Sequence, residues 1–142
     1  MSYVLGRFKI RPQLALMMEQ AIEKLARQGS RALDEAGKCV YLAPDGKKCA
    51  VGHMLTRDVK TRETVCSNAE VQQNIQEQLP TPVLYYQELT ALNSFQAYCH
   101  DYVLTGKDGE SANPTNEEEF ALLVLASWAE FKENNLDITE NL

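Results

Sequence analysis

The 142-residue chain lacks most of the patterns that would commit it to a known chemistry. It has no glycine-rich phosphate loop, no G-x-S-x-G, no H-E-x-x-H and no EF-hand spacing. The familiar routes to phosphate, serine-hydrolase, zinc-protease and calcium chemistry are therefore unsupported. No apolar run approaches the ~18–20 residues that cross a bilayer, so no membrane partner is expected. The apolar residues of the first segment, MSYVLGRFKIRPQLALMM, are interrupted by basic ones, and no small-residue cleavage site follows. That reads as a cytoplasmic protein rather than a secreted one. Internal repeats and low-complexity stretches are absent as well.

Positive charge is also scarce. Lys and Arg number 14 against 20 Asp and Glu, a net charge of −6. Binding to a nucleic acid backbone needs clustered cations, so direct nucleic-acid contact is not expected. An acidic balance serves solubility, or it serves docking on a basic partner. Imitation of DNA would need carboxylates along a whole face, and the chain has one short acidic run, Glu117-Glu118-Glu119. Four cysteines in a chain of this length make no disulfide framework. They are expected as free thiols or ligands, and a free cysteine is most often a small buried hydrophobe.

What is present is an ordinary globular composition, 44% hydrophobic and 24% charged. We expect one domain over residues 1–142, burying roughly 70% of its unfolded surface. Residues 2–10 alternate weakly and read as a short strand or extended arm. Pro12 suits a first helical turn. Leu14, Met17, Met18, Ala21, Ile22 and Leu25 follow at helical spacing, and Gly29 is a natural stop, so a helix spans 12–28. Ser67 to Glu70 has capping-box spacing, giving a helix over 68–79 with Val71, Ile75 and Leu79 inward. A long helix over 83–104 follows Pro82, its apolar face Tyr85, Leu89, Leu92, Phe95, Cys99 and Val103. Thr115 and Glu118 form a second capping pair. The last helix, 116–134, buries Phe120, Leu123, Val124, Ser127 or Trp128, and Phe131. The tail after Asn135 is expected to fray.

Between the first two helices lies the most distinctive stretch, residues 38–55. Val40, Tyr41 and Leu42 favour strand, Pro44-Asp45-Gly46 is a strong turn, and Lys48 to Val51 returns. In a three-residue loop Ala43 lies opposite Lys47 and Tyr41 opposite Cys49. Cys39 and Val51 then share that side. The fold class is mainly α (α+β): a four-helix bundle-like domain with a small β-hairpin insertion.

The residues able to carry chemistry are Cys39, Cys49, His53, Cys66, Cys99, His100 and Asp101. No cofactor is expected, and zinc is the alternative. Cys39, Cys49 and His53 would supply three ligands and Cys99 or His100 a fourth, although C-x9-C-x3-H is not a standard finger spacing. A second reading makes Cys49 a nucleophile with His100 as its base, oriented by Asp101, Gln96 or Asn93. A third makes Asn93, Gln96 and His100 one polar stripe of the long helix, facing Tyr41 across a small-ligand or nucleotide-signal pocket. The structural reading, preferred for these residues, packs Cys39, Cys49 and Cys99 as core and has His100 hydrogen-bond the hairpin backbone. Four tyrosines, Tyr85, Tyr86, Tyr98 and Tyr102, are more rings than one helix face can bury, which also allows a homodimer.

Cys39-Val40-Tyr41 and Asp45 through Leu55 (DGKKCAVGHML), with Phe95 to Asp101 (FQAYCHD), resemble a motif in short proteins encoded by bacteriophages and bacteria. These carry C-x-Y, a glycine turn, K-C-A-V-G-x-L and a later helical Q-x-x-x-H-D. The resemblance spans about 25 residues in two pieces. It implies that the hairpin and the His-Asp helix belong together. It also implies an accessory protein of a phage or mobile element. Combined with the acidic charge, it points to a small factor that binds a host protein, for instance to inhibit a defence or regulatory system.

Overall fold

A computed structural model describes residues 7–36, 40–59, 61, 63–101 and 116–140, with Asp101 described in its backbone alone. Proline and glycine frame the first helix, α1 (Pro12–Gln28), as its sequence requires: Pro12 opens it, and Gly29 closes it at φ 86°. That angle is left-handed and favours glycine. Then come two 3₁₀ turns, Gly52–Met54 and Val65–Ser67, and the helices α2 (Ala69–Glu77), α3 (Tyr86–Gln96) and α4 (Glu117–Asn135). Short strands β1 (Phe8–Ile10) and β2 (Leu136–Ile138) lie near the two ends. The domain is thus mainly helical with a small β component.

α1 and α4 run antiparallel. Gly29 at the end of α1 lies against the Glu117 side chain at the start of α4. Further along, Trp128 Nε1 and Lys132 Nζ reach Glu19 Oε1 at 3.5 and 3.3 Å. This geometry brings β1 and β2 side by side. The tail expected to fray instead forms β2, parallel to β1, with Phe8 opposite Leu136 and Ile10 opposite Ile138. Leu136 is buried there, and Thr139 N–H closes the ladder on Ile10 O at 2.9 Å. Two such short strands gain little alone; helix packing has already removed most of the entropy of bringing them together.

The core between the helices is aromatic. Phe95 meets Trp128 edge-on at 5.5 Å between centroids, and Phe131 lies 6.1 Å from Phe95. Phe120, Val124, Trp128 and Phe131 form the buried face of α4, as its spacing predicts.

α3 differs from expectation. It starts at Tyr86, and Tyr85 is half-exposed. Glu88 is buried in its place, because Arg11 clamps it. After Gln96 the helix widens into one π turn, Ala97–Asp101. The extra residue per turn carries both Cys99 and His100 into the interior. Val103 lies outside the described residues.

The helix caps shift by one residue. Asn68 Oδ1, not Ser67, accepts Val71 N–H at 3.1 Å, and Asn116 Oδ1 accepts Glu119 N–H at 2.8 Å. Asparagine is at least as good an N-cap as serine or threonine.

The hairpin is reduced to its turn. Gly46 takes φ 90°, Ala43 N–H donates to Lys47 O at 2.8 Å, and Leu42 bridges Lys48 antiparallel, in the expected register. Beyond that bridge the returning chain coils into Gly52–Met54 instead of extending. Gly52 sits so close to Tyr41 that a Cβ would stand 2.3 Å from the Tyr41 carbonyl oxygen.

Candidate functional site

Side chains from two helices hold the returning chain where the ribbon stops, one on its outer edge and one on its inner side. Gln28, the last residue of α1, acts as a surrogate strand. Its Oε1 accepts Lys48 N–H at 2.8 Å and its Nε2 donates to Lys48 O at 2.9 Å and to Ser30 O at 2.7 Å. Gln96, at the end of α3, accepts Val51 N–H at 2.9 Å. Residues 48–51 are thus held between α1 and α3 by two amides. Sequence reading had placed Gln96 in a pocket wall and had missed Gln28.

His100 is 1% exposed, and its Nε2 accepts the Ala32 N–H at 3.2 Å. An amide N–H can only donate, so Nε2 carries the lone pair and the ring proton sits on Nδ1. The bond that Nε2 accepts comes from the loop after α1, and the π turn carries the ring inward to it.

Cys49 is also 1% exposed, and its Sγ accepts Gly52 N–H at 3.3 Å. Cys99 is fully buried, and burial pushes its thiol up to about 12, against a smaller opposing effect of its hydrogen bond with Ser127. Cys66 is exposed. Cys39 and the Asp101 side chain lie outside the described residues.

His53 sits on the 3₁₀ turn, half-buried. Its Nε2 lies 2.8 Å from Gln28 Oε1. That oxygen already accepts Lys48 N–H, so Nε2 must be the donor and Nδ1 holds the lone pair. Burial, then the positive charges of Lys48 and Lys24, then His100, lower its pKa to about 4. The structure therefore gathers His53, His100, Lys24, Lys48 and Gln28 in one neighbourhood, of which the sequence reading had named the two histidines as candidates and had missed Lys24 and Gln28. Among the described residues, no group of three His, Cys, Asp or Glu side chains is placed to hold a metal ion.

Tyr41 is buried and its hydroxyl donates to Glu63 O at 2.8 Å. It lines a cleft of about 370 Å³ with Asp34, Val40, Leu42, Pro44 and Val59. Asn93, Gln96 and His100 are not among the residues that line this cleft. Asn93 is half-buried on α3.

The strongest polar contact was not legible in sequence. Glu88 is fully buried and receives Arg11 through Nη2 at 2.8 Å and Nε at 3.0 Å, and through the Arg11 N–H at 3.0 Å. The guanidinium also donates to Thr81 O and Val83 O and lies 5.0 Å from the Tyr85 ring centroid. Glu88 raises the Arg11 pKa, chiefly through their hydrogen bonds. The clamp ties the start of α1 to the first turn of α3. No helix among the described residues is long and apolar enough to cross a membrane. No protein-family model, curated protein or solved structure matches the chain.

Proposed function

We propose that this is a non-catalytic accessory protein of the phage type that binds a host protein through the outer face of α4. One observation carries the reading: α4 has two apolar faces. Opposite its buried face, Leu122, Leu125, Ala126 and Ala129 recur at helical spacing and are exposed, Leu122 by 62% and Leu125 by 44%. Glu118 and Glu133, four residues beyond either end, continue the same stripe and are exposed too. An apolar strip closed at both ends by carboxylates suits an amphipathic partner helix whose apolar face is flanked by Lys or Arg. It does not suit a second copy paired antiparallel about the middle of the strip, because Glu118 would face Glu133.

Burying the exposed parts of Leu122 and Leu125 contributes about 2–3 kcal/mol, from roughly 1.5–3 kcal/mol for a wholly buried leucine. The test is photo-crosslinking in host lysate from a benzoylphenylalanine at position 122, with position 70 on α2 as control. A discrete adduct specific to position 122, lost on Leu125→Glu, is expected. Equal labelling from both positions, or sedimentation showing self-association through this face, would sink the proposal. A small-ligand reading is favoured by the cleft beside Tyr41, whose volume lies within the range of small-molecule sites.

A further inference from the structure

The cations of this acidic chain are not evenly neutralised. Arg11 pairs with Glu88, Lys47 with Asp45, Arg57 with Glu77 and Lys132 with Glu19. Lys24 and Lys48 make no ion pair among the described residues. Both act electrostatically on one group, the His53 ring that Gln28 holds. Lys24 is one turn before Gln28 on α1, and Lys48 is bonded to Gln28 through its own backbone. His53 completes the set, its Nε2–H spent on Gln28 Oε1 and its Nδ1 without a hydrogen bond among the described residues. The arrangement is two unpaired ammonium groups and one unoccupied imidazole acceptor, on a rigid amide anchor.

The low pKa of His53 reports the same thing from another side. The positive charges of Lys48 from the turn and Lys24 from α1 both act on it, whereas Gln28, which touches it, and His100, whose Nε2 is an acceptor, are neutral. Burial and the two ammonium charges thus act in the same direction, and the imidazole stays neutral at pH 7. A neutral Nδ1 accepts a hydrogen bond and cannot give one. The neighbourhood thus asks for a ligand that is anionic and also carries an O–H.

We propose that Lys24, Lys48 and His53 form a binding site for a hydrogen-phosphate group, free or ester-linked. The two ammonium groups hold phosphoryl oxygens as point charges, and Nδ1 of His53 accepts the P–O–H. Sulfate has the same shape and charge but no proton at this pH, so it offers a lone pair to Nδ1 and is rejected. A site built to hydrogen-bond a ligand O–H discriminates strongly against the analogue that lacks it.

The chain has two histidines, so its imidazole signals can be followed individually by NMR. Inorganic phosphate is titrated at pH 7 against sodium chloride of matched ionic strength, then sulfate and methyl phosphate in the same way. The expected result is a saturable shift of the His53 ring signals with phosphate, at least five-fold weaker with sulfate. Lys24→Gln and Lys48→Gln should each weaken phosphate binding five-fold or more. Lys48→Gln leaves the fold intact, because the bonds to Gln28 use the Lys48 backbone. Tighter binding of methyl phosphate at pH 6, where more of it carries the proton, would identify the ester as the ligand. Tighter binding of inorganic phosphate would identify the free ion. Shifts no larger than those from chloride would overturn the site. Equal binding of phosphate and sulfate would overturn the role of His53.

Discussion

Replacing Glu88 with alanine is the most severe test of how this fold is assembled. The side chain is fully buried and receives three hydrogen bonds from Arg11 and one from Tyr85 N–H at 3.3 Å. Truncation leaves the guanidinium, 11% exposed, with its two backbone carbonyl acceptors but no counter-charge. Removing one partner of a buried pair typically costs about 3–5 kcal/mol, most of it the penalty of the charge left behind. Arg11 cannot swing out cheaply, since its stem opens α1 and its plane lies near Tyr85. We therefore expect the upper half of that range. The assay is urea unfolding followed by circular dichroism. With a slope of about 2 kcal/mol per molar, the midpoint should fall by about 2 M at unchanged slope. Arg11→Met combined with Glu88→Leu should recover most of the loss, because a buried pair replaced by apolar residues of similar volume is often neutral. A loss below about 1 kcal/mol for Glu88→Ala, or a double variant no more stable than the single one, would refute this account of the clamp.

Three further outcomes are expected. His53 is neutral in the fold down to about pH 4 but titrates near 6.5 when unfolded, so the unfolded chain binds more protons between those values. Stability should thus fall as pH drops from 6.5 to 4, by about 1–2 kcal/mol after allowance for partial solvent screening; His53→Gln should flatten that slope in acid-range melts. His100→Ala orphans the buried Ala32 N–H and should cost about 2–3 kcal/mol, whereas a variant equally stable but inactive in partner binding would show that the ring acts in function. Iodoacetamide at neutral pH should label exposed Cys66 first and leave Cys99, its thiol pushed up to about 12, almost untouched. Cys49 should label as slowly as Cys99 if it is core, and labelling as fast as Cys66 would favour a nucleophile.

How much of this was legible depends on the range of each interaction. α1 was legible from end to end, because proline, glycine and a 3.6-residue period act within one helix. The turn at Asp45–Gly46 and its register were legible for the same reason. The extent of the hairpin was not: Gln96, far away in the chain, takes the Val51 N–H that would have paired further along the ribbon, while Gln28 covers the outer edge at Lys48. The site suffered likewise. His53 and His100 were both singled out, yet their proximity depends on a π turn that local propensity does not signal.

The sequence by itself determined the helical class, the buried face of α4, the turn and the short set of residues able to do chemistry, all of which follow from local periodicity and residue type. The tertiary structure alone decided that β1 and β2 pair, that Arg11 and Glu88 meet across 77 positions, and that the Lys48 backbone and His53 converge on the Gln28 amide. Those contacts are sparse and polar, and each depends on where packed helices happen to bring their ends.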